Sequence, residues 1–399
     1  MKVSVFVFCL SLLLVGVAPA ADSLKVRTVG HCDTPGTANG VVASGDSAYV
    51  AADTSGLRII SVVDPAHPVE VGHYDTPGEA WGVAVSGHFA YVADGDSGLR
   101  VIRMTSQTEV GHCAVPGFAF CLVVSGTYAY VAVGDSGVRV ISVVDSSNPV
   151  VVGSYHAPNQ AWGVAVSGHF AYVADGDSGF RVVSVANPAH PVQVGHCATS
   201  GYAEGVAVSG KCAYVADGDS GLRVITIADS AHPAQIGHCA TPAFAYGVTV
   251  SLDSAYVADG ESGLRIISVT DSAHPAQVGY YDTPGFANGV ALSRDYVLVA
   301  DFDAGLGVYH SYVPGIQEAP SAVSWAARYA PTIVRGVLLL EEAPSHRPQA
   351  VSLLDASGRK VLDLRAGAND VSGLGPGVYF VCDGAQGQAQ AAQKVVIAR

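Results

Sequence analysis

The stretch ADGDSGLRVI, Ala93–Ile102, sets two carboxylates and a guanidinium within a few residues of one another, as a catalytic or metal site would. The same letters return at Ala216–Ile225, ADGDSGFRVV stands at Ala174–Val183, and ADGESGLRII at Ala258–Ile267. A motif stamped out several times along one chain is a unit of folding before it is a unit of chemistry.

The second glycine of the motif sets the period. It recurs at Gly56, Gly98, Gly137, Gly179, Gly221, Gly263 and Gly305, with successive differences of 42, 39, 42, 42, 42 and 42. That length suits a four-stranded propeller blade, whereas helical repeats of similar length need a 3.6-residue apolar period that is not visible here. Within Gly82–Gly117 the turn residues mark off GVAVSG, FAYVADG, SGLRVI and EVGHCAVPG, four short runs rich in Val, Ile, Tyr and Ala. Both faces of these strands are apolar, Val83 and Val85 opposing Ala84, as expected of sheets sandwiched between neighbouring sheets.

The ends of the array are complementary. VRTVGHCDTPG, Val26–Gly36, reads as a fourth strand with no first three before it, and GVALSRDYVLVADFDAGLGVYHSYV, Gly289–Val313, holds three strands and no fourth. Pairing them closes a ring and removes the open sheet edges of a linear array. The expected fold is therefore all-β, a seven-bladed β-propeller over residues 22–313 whose N-terminal strand completes the last blade. AYVADGESGLRIISV, Ala255–Val269, followed by TDSAHPAQ, resembles the repeat of LVIVD-repeat propeller proteins, and the likeness extends over all seven units. That family is mostly extracellular and its roles are poorly defined, so the resemblance implies a fold rather than an activity.

Both termini differ from the repeats. Residues 1–20, MKVSVFVFCLSLLLVGVAPA, carry Lys2, an apolar run from Val3 to Val17 and an Ala18-Pro19-Ala20 cleavage signal, the pattern of a secretory signal peptide. The run is short for a membrane span and no other stretch is long enough, so no integral membrane span is expected. Residues 314–332 are a Pro-, Ala- and Ser-rich connector, and residues 333–399 return to strands at irregular spacing, the pattern of a small Ig-like β-sandwich. Within them LLDASGRKVLDL (Leu353–Leu364), GLGPGVYFV (Gly373–Val381) and KVVIAR (Lys394–Arg399) resemble the C-terminal sorting domain of type IX secretion cargo. The run QGQAQAAQ, Gln386–Gln393, departs from that pattern, where charged residues are more usual. The resemblance implies type IX secretion machinery as a partner and a secreted protein, free or attached to the outer cell surface.

Composition narrows the partners. A formal net charge of -14 with only 20 Lys and Arg leaves no basic stripe to neutralise phosphates, which argues against nucleic acid. Of the eight cysteines, Cys32, Cys113, Cys197 and Cys239 share one repeat position, too far apart in separate blades for a disulfide. Five histidines, from His31 to His238, likewise share one repeat position and spread around a rim, so no metal and no cofactor is expected from them.

The acids of the motif form two series. Aligned with Asp94 are Ala52, Val133, Asp175, Asp217, Asp259 and Asp301; aligned with Asp96 are Thr54, Asp135, Asp177, Asp219, Glu261 and Asp303. Asp and Gly in a tight turn have a local cause, the carboxylate capping backbone N–H groups. The rival reading is Ca²⁺ at Asp94, Asp96, Asp175, Asp177, Asp217 and Asp219, disfavoured because Leu-Arg or Phe-Arg rather than another acid follows each glycine. Arg58, Arg100, Arg139, Arg181, Arg223 and Arg265 are expected to be partly buried ion-pair partners of a neighbouring blade.

Positions that drift between near-identical units are the better functional candidates. Just before each first strand stand Asn39, Trp81, Phe120, Trp162, Glu204, Tyr246 and Asn288, and two residues earlier Glu79, Phe118, Gln160, Tyr202, Phe244 and Phe286. Both sets are expected to ring the mouth of the central channel. Aromatic platforms mixed with amides and carboxylates suit stacking on a glycan or a protein ligand and hydrogen bonding to it. No nucleophile–base pair or two-carboxylate arrangement can be placed, so a secreted binding module is the leading reading. A propeller hydrolase or lyase and a structural surface-layer component are the alternatives.

Overall fold

The computed structural model describes residues 23–311 and, beyond them, strand segments between Thr332 and Ile397. The expected signal peptide, and the 314–332 connector up to Thr332, lie outside the described residues. Chain contacts divide the molecule into two units, Met1–Pro314 and Gly315–Arg399.

Seven antiparallel sheets make up the first unit. Blade 1 consists of Gly40–Ser44, Ser47–Ala51, Leu57–Ser61 and Val69–Tyr74, and blades 2 to 6 repeat that order up to Ala276–Tyr281. Blade 7 contains Gly289–Ser293, Tyr296–Ala300 and Leu306–Ser311, and its fourth strand is Val26–Cys32 from the other end of the chain. The register runs Val26 opposite Ser311 to Cys32 opposite Leu306, so the ring is fastened as the sequence predicts. One further strand was not foreseen: Ser23–Leu24 pairs with Tyr281 and Tyr280 and adds a fifth strand to blade 6.

The burial pattern explains the repeat. Second strands such as Phe89–Ala93 and third strands such as Leu57–Ser61 are buried on both faces, because each blade is covered by the next. Outer strands are largely exposed, as in Ala234–Cys239, where Gly237 alone is buried. Seven apolar clusters lie one between each adjacent pair of blades. The cluster joining Val50 and Ile60 of blade 1 to Leu298 and Leu306 of blade 7 closes the circle. A fully buried Ile or Leu contributes about 1.5–3 kcal/mol, so each seam adds several such contributions. The period of 39 arises in blade 2, where the short Arg103–Thr108 connection replaces the longer Asp-x-x-His-Pro turn. Gln107 fills that space, accepting from the His73 N–H and donating to the Val71 carbonyl, both at 3.4 Å.

In the second unit Thr332–Val334, Gln390–Ile397, Gly377–Asp383, Val351–Asp355 and Lys360–Leu364 form one five-stranded sheet in that order. Val337–Leu340 pairs with Gly367–Asp370 in a separate antiparallel ladder.

Candidate ligand site at the channel mouth

The loop joining second to third strands and the loop entering each first strand lie together at one end of the ring, and backbone pairing fixes them to each other. Ala38, Ala80, Ala119, Ala161, Ala203, Ala245 and Ala287 are fully buried, and each bridges the turn of the preceding blade. The Ala119 N–H donates to the Gly95 carbonyl at 3.0 Å, and the Ala119 carbonyl accepts the Gly95 N–H at 3.3 Å. The next residue is anchored into its own blade, Trp81 donating to the Ala93 carbonyl at 2.9 Å and Phe120 to Ala132 at 3.0 Å. With the alanine turned inward to the seam, the residues on either side of it project together, which is the period of two of extended backbone. Phe118 and Phe120 accordingly sit with ring centroids 4.7 Å apart.

All seven residues of the inner set, Asn39, Trp81, Phe120, Trp162, Glu204, Tyr246 and Asn288, line one cavity of about 370 Å³. The first-strand glycine that follows most of them is needed for close approach: a Cβ on Gly163 would fall 2.5 Å from the Glu204 carbonyl. The outer set stands behind the inner one. Trp81, Phe118, Phe120, Trp162 and Tyr202 form one continuous aromatic arc, with centroid separations of 5.9, 4.7, 4.2 and 6.2 Å along it. Phe244, Tyr246, Phe286 and Phe302 form a second, at 4.7, 5.1 and 6.0 Å. Glu204 separates the arcs on one side and the amides Asn39 and Asn288 on the other, with Asn288 Nδ2 donating to the Asn39 carbonyl at 3.1 Å. Trp162 Nε1 donates to the Tyr202 hydroxyl at 2.8 Å, which donates in turn to Gln160 Oε1 at 2.9 Å. Glu79 is exposed on the same face.

Phe302 was missed in the sequence. It occupies the place of Gly95 in the motif and holds a left-handed φ of 49°, a conformation rare for an aromatic residue. Its signal was the loss of the glycine from an otherwise regular turn.

Glu204 is the one carboxylate in the cavity wall. Burial pushes its carboxyl up to about 8, so the group is largely uncharged at neutral pH. Burial also raises the Tyr202 and Tyr246 hydroxyls, and Glu204 adds to both shifts.

The two acidic series separate completely. Asp94, Asp175, Asp217 and Asp259 are fully out of solvent and Asp301 nearly so. Each accepts a backbone N–H from the chain entering its blade, Gly78 to Asp94 at 2.9 Å and Gly201 to Asp217 at 2.9 Å. Thr76 adds its hydroxyl to Asp94. The cap is therefore on the incoming connection, not on the local turn. Burial raises the carboxyls of Asp94, Asp175, Asp259 and Asp301, against the hydrogen bonds that pull them down.

The arginines correct an expectation. They pair inside their own blade rather than with a neighbour: Arg181 Nε lies 3.0 Å from Asp175, Arg223 Nε 3.0 Å from Asp217, and Arg100 and Arg265 3.5 Å from Asp94 and Asp259. A six-residue step across the tight turn brings the guanidinium beneath the carboxylate. Where the first Asp is missing, Arg58 turns to Asp75 at 2.6 Å and Arg139 to the Ser136 carbonyl at 2.7 Å. The second series, Asp96, Asp135, Asp177, Asp219, Glu261 and Asp303, is exposed. Among the described residues no three His, Cys, Asp or Glu side chains are grouped to hold a metal ion.

The fold and mouth define a β-propeller built from sequence repeats. Seven segments match the LVIVD repeat, at residues 35–76, 77–104, 116–157, 158–199, 200–241, 244–283 and 284–308. These segments span more than half of the chain, which therefore belongs to the LVIVD repeat family. No curated protein matches it. Among solved structures, a chain of the mitotic checkpoint complex is similar at 14% identity and a TM-score of 0.62, over 78% of this chain and 99% of that one. The RRP9 WD40 repeats are similar at 13% identity and 0.57, over 72% and 98%. At such identities the likeness is one of fold alone. No helix among the described residues is long and apolar enough to cross a membrane.

Proposed function

We propose that this propeller is an exported binding module whose ligand, a protein or a glycan, docks on the channel mouth. The carrying observation is that seven equivalent positions on one rigid frame bear Asn, Trp, Phe, Trp, Glu, Tyr and Asn around a single cavity. Loop residues drift freely when they are solvated. Here the seven inner side chains are partly or fully buried and each follows a paired alanine, so their variety changes what the cavity presents and not whether the blade folds. The residues 1–20 and the three C-terminal motifs support export through type IX secretion machinery to the medium or the outer cell surface. In support of a small terminal β-domain, the two ends of LLDASGRKVLDL fall on paired antiparallel strands, Val351–Asp355 and Lys360–Leu364, and GVYFV on the strand beside the first.

Trp81→Ala combined with Trp162→Ala removes the two indoles of the larger arc. Retention of the mature protein on glycan and peptide arrays is expected to be lost, and unchanged retention contradicts a ligand at this mouth. Glu204, protonated near neutral pH, favours a second reading as general acid of a hydrolase or lyase. Turnover in a substrate screen that falls in Glu204→Gln would establish it.

A further inference from the structure

We infer that the mouth takes a cationic polypeptide segment, with Lys or Arg side chains entering between the aromatic arcs under a rim of carboxylates. This rests on the binding-module reading and narrows it to one ligand chemistry. The loops that form this end of the ring, those entering the first strands and those joining second to third strands, contain no Lys and no Arg. Of the guanidinium groups that reach toward them from the third strands, those of Arg100, Arg181, Arg223 and Arg265 pair with the buried aspartates beneath, Arg58 with Asp75, and Arg139 donates to the Ser136 carbonyl. Blades 2 to 7 each raise an exposed carboxylate from the turn on the rim, at Asp96, Asp135, Asp177, Asp219, Glu261 and Asp303, and Glu79 adds another. Such a ring attracts cations and repels acidic chains, whereas an uncharged sugar gains hydrogen bonds from it but no charge attraction.

A cluster of acids alone would be a solvated edge, but the cavity wall carries unspent groups of its own. Asn39 is 4% exposed and lines the cavity. Its Nδ2 donates to the Ala80 carbonyl at 3.0 Å, yet its Oδ1 is buried with no partner. A buried acceptor left unmade costs about 1–3 kcal/mol, which a donor from a ligand would recover. Trp81 Nε1, on the next blade, is a buried donor in the same state. A polypeptide meets both needs, with N–H or guanidinium donors for Asn39 and a carbonyl for Trp81. The arcs offer ring faces for cation–π contact, which is strongest on Trp and most often made by Arg. Glu204 completes the set, because an entering cation supplies the counter-charge that its burial lacks.

The test uses the full mature chain and three labelled probes in anisotropy titrations: an Arg/Gly peptide, its Glu/Gly counterpart, and a free polyamine. The Arg/Gly peptide is expected to bind with an affinity that falls as salt rises, and the Glu/Gly peptide not to bind. Asp177→Asn with Asp219→Asn should weaken the basic peptide about tenfold, in keeping with two partly solvated charge contacts. On the opposite face Asp229→Asn with Asp271→Asn removes the same net charge and should leave binding unchanged. Equal weakening by both pairs, or binding indifferent to salt, overturns the inference, and polyamine binding as tight as the peptide rejects a polypeptide ligand. If basic peptides fail but a neutral glycan is held in a manner lost with Trp81→Ala and Trp162→Ala, the mouth remains a binding site and only the cationic ligand falls. If nothing binds, both fall.

Discussion

The two ends of the ring grow from the same hairpins and carry different chemistry. At the end opposite the mouth the turns close on themselves: Asp64, Asp229 and Asp271 each accept the backbone N–H two residues on, at 3.1, 3.0 and 3.0 Å. The same carboxylates hold the Nδ1 of His67, His232 and His274 at 3.0, 2.8 and 2.8 Å. Those hydrogen bonds to histidine draw the three carboxyls below their usual range. In these three turns the carboxylate is spent on the turn's own backbone and histidine. At the mouth, the inner acids are tied to the frame, Asp217 and Asp259 through one carboxylate oxygen with Oδ1 left unpaired in the blade, while the rim acids are solvated and Asn39 Oδ1 and Trp81 Nε1 stand unpaired at the cavity. What sets the mouth apart is that its open groups, a buried amide oxygen and an indole N–H, belong to residues that line a cavity.

The sharpest way to break this contrast is at the buried series. Asp217→Ala leaves Arg223 buried without its carboxylate and the Gly201 N–H without its acceptor, and is expected to cost about 3–5 kcal/mol in urea unfolding. Asp229→Ala, at a solvent-exposed turn, should move the same midpoint far less; comparable losses would erase the distinction between the two ends.

Glu204→Gln tests the cavity wall by pH. The folded carboxyl holds its proton up to about pH 8, whereas in the unfolded chain it titrates near 4.3. Between those values the native state binds the extra proton, so its stability falls as pH rises, by up to about 1.4 kcal/mol per unit. Thermal melts should show Glu204→Gln matching wild type near pH 4 and exceeding it at pH 9. Parallel melting curves across that range would place Glu204 in solvent.

Phe302→Gly relieves a left-handed aromatic and should raise stability by about 1 kcal/mol while shortening the second aromatic arc and weakening the ligand. A gain in stability with unchanged affinity would reduce Phe302 to an accident of the turn. The smallest stability effect belongs to Asp219→Asn on the rim, within about 0.5 kcal/mol of wild type. A larger loss there would mean that the two acidic series share one structural role.

Much of this was legible before any coordinates. The recurring glycine carried the blade count, and the orphan strand at Val26–Cys32 carried the closure, because an unpaired edge at each end has one economical solution. The mouth was legible from residues that change while their neighbours do not, and all seven inner positions do line one cavity. What escaped depended on geometry across turns. The Arg–Asp pairs were assigned to neighbouring blades because Arg58 and Arg139 lack the first Asp. Only the hairpin shows that those two find other oxygens while the rest bond six residues back. Ser23–Leu24 is too short for any periodicity to reveal its place on blade 6. The burial of Glu204 in the cavity wall, which separates it from the rim acids, has no trace in spacing.

Ring closure underlies the cavity and its frame, and hydrogen–deuterium exchange of the full chain tests it most directly. The amides of Val26–Cys32 should be protected to the same degree as those of outer strands such as Val150–Tyr155, since both are paired along one edge of a packed blade. Exchange of that segment at the rate of an unstructured peptide, with Leu306–Ser311 exposed alongside it, would mean an open array and no channel mouth.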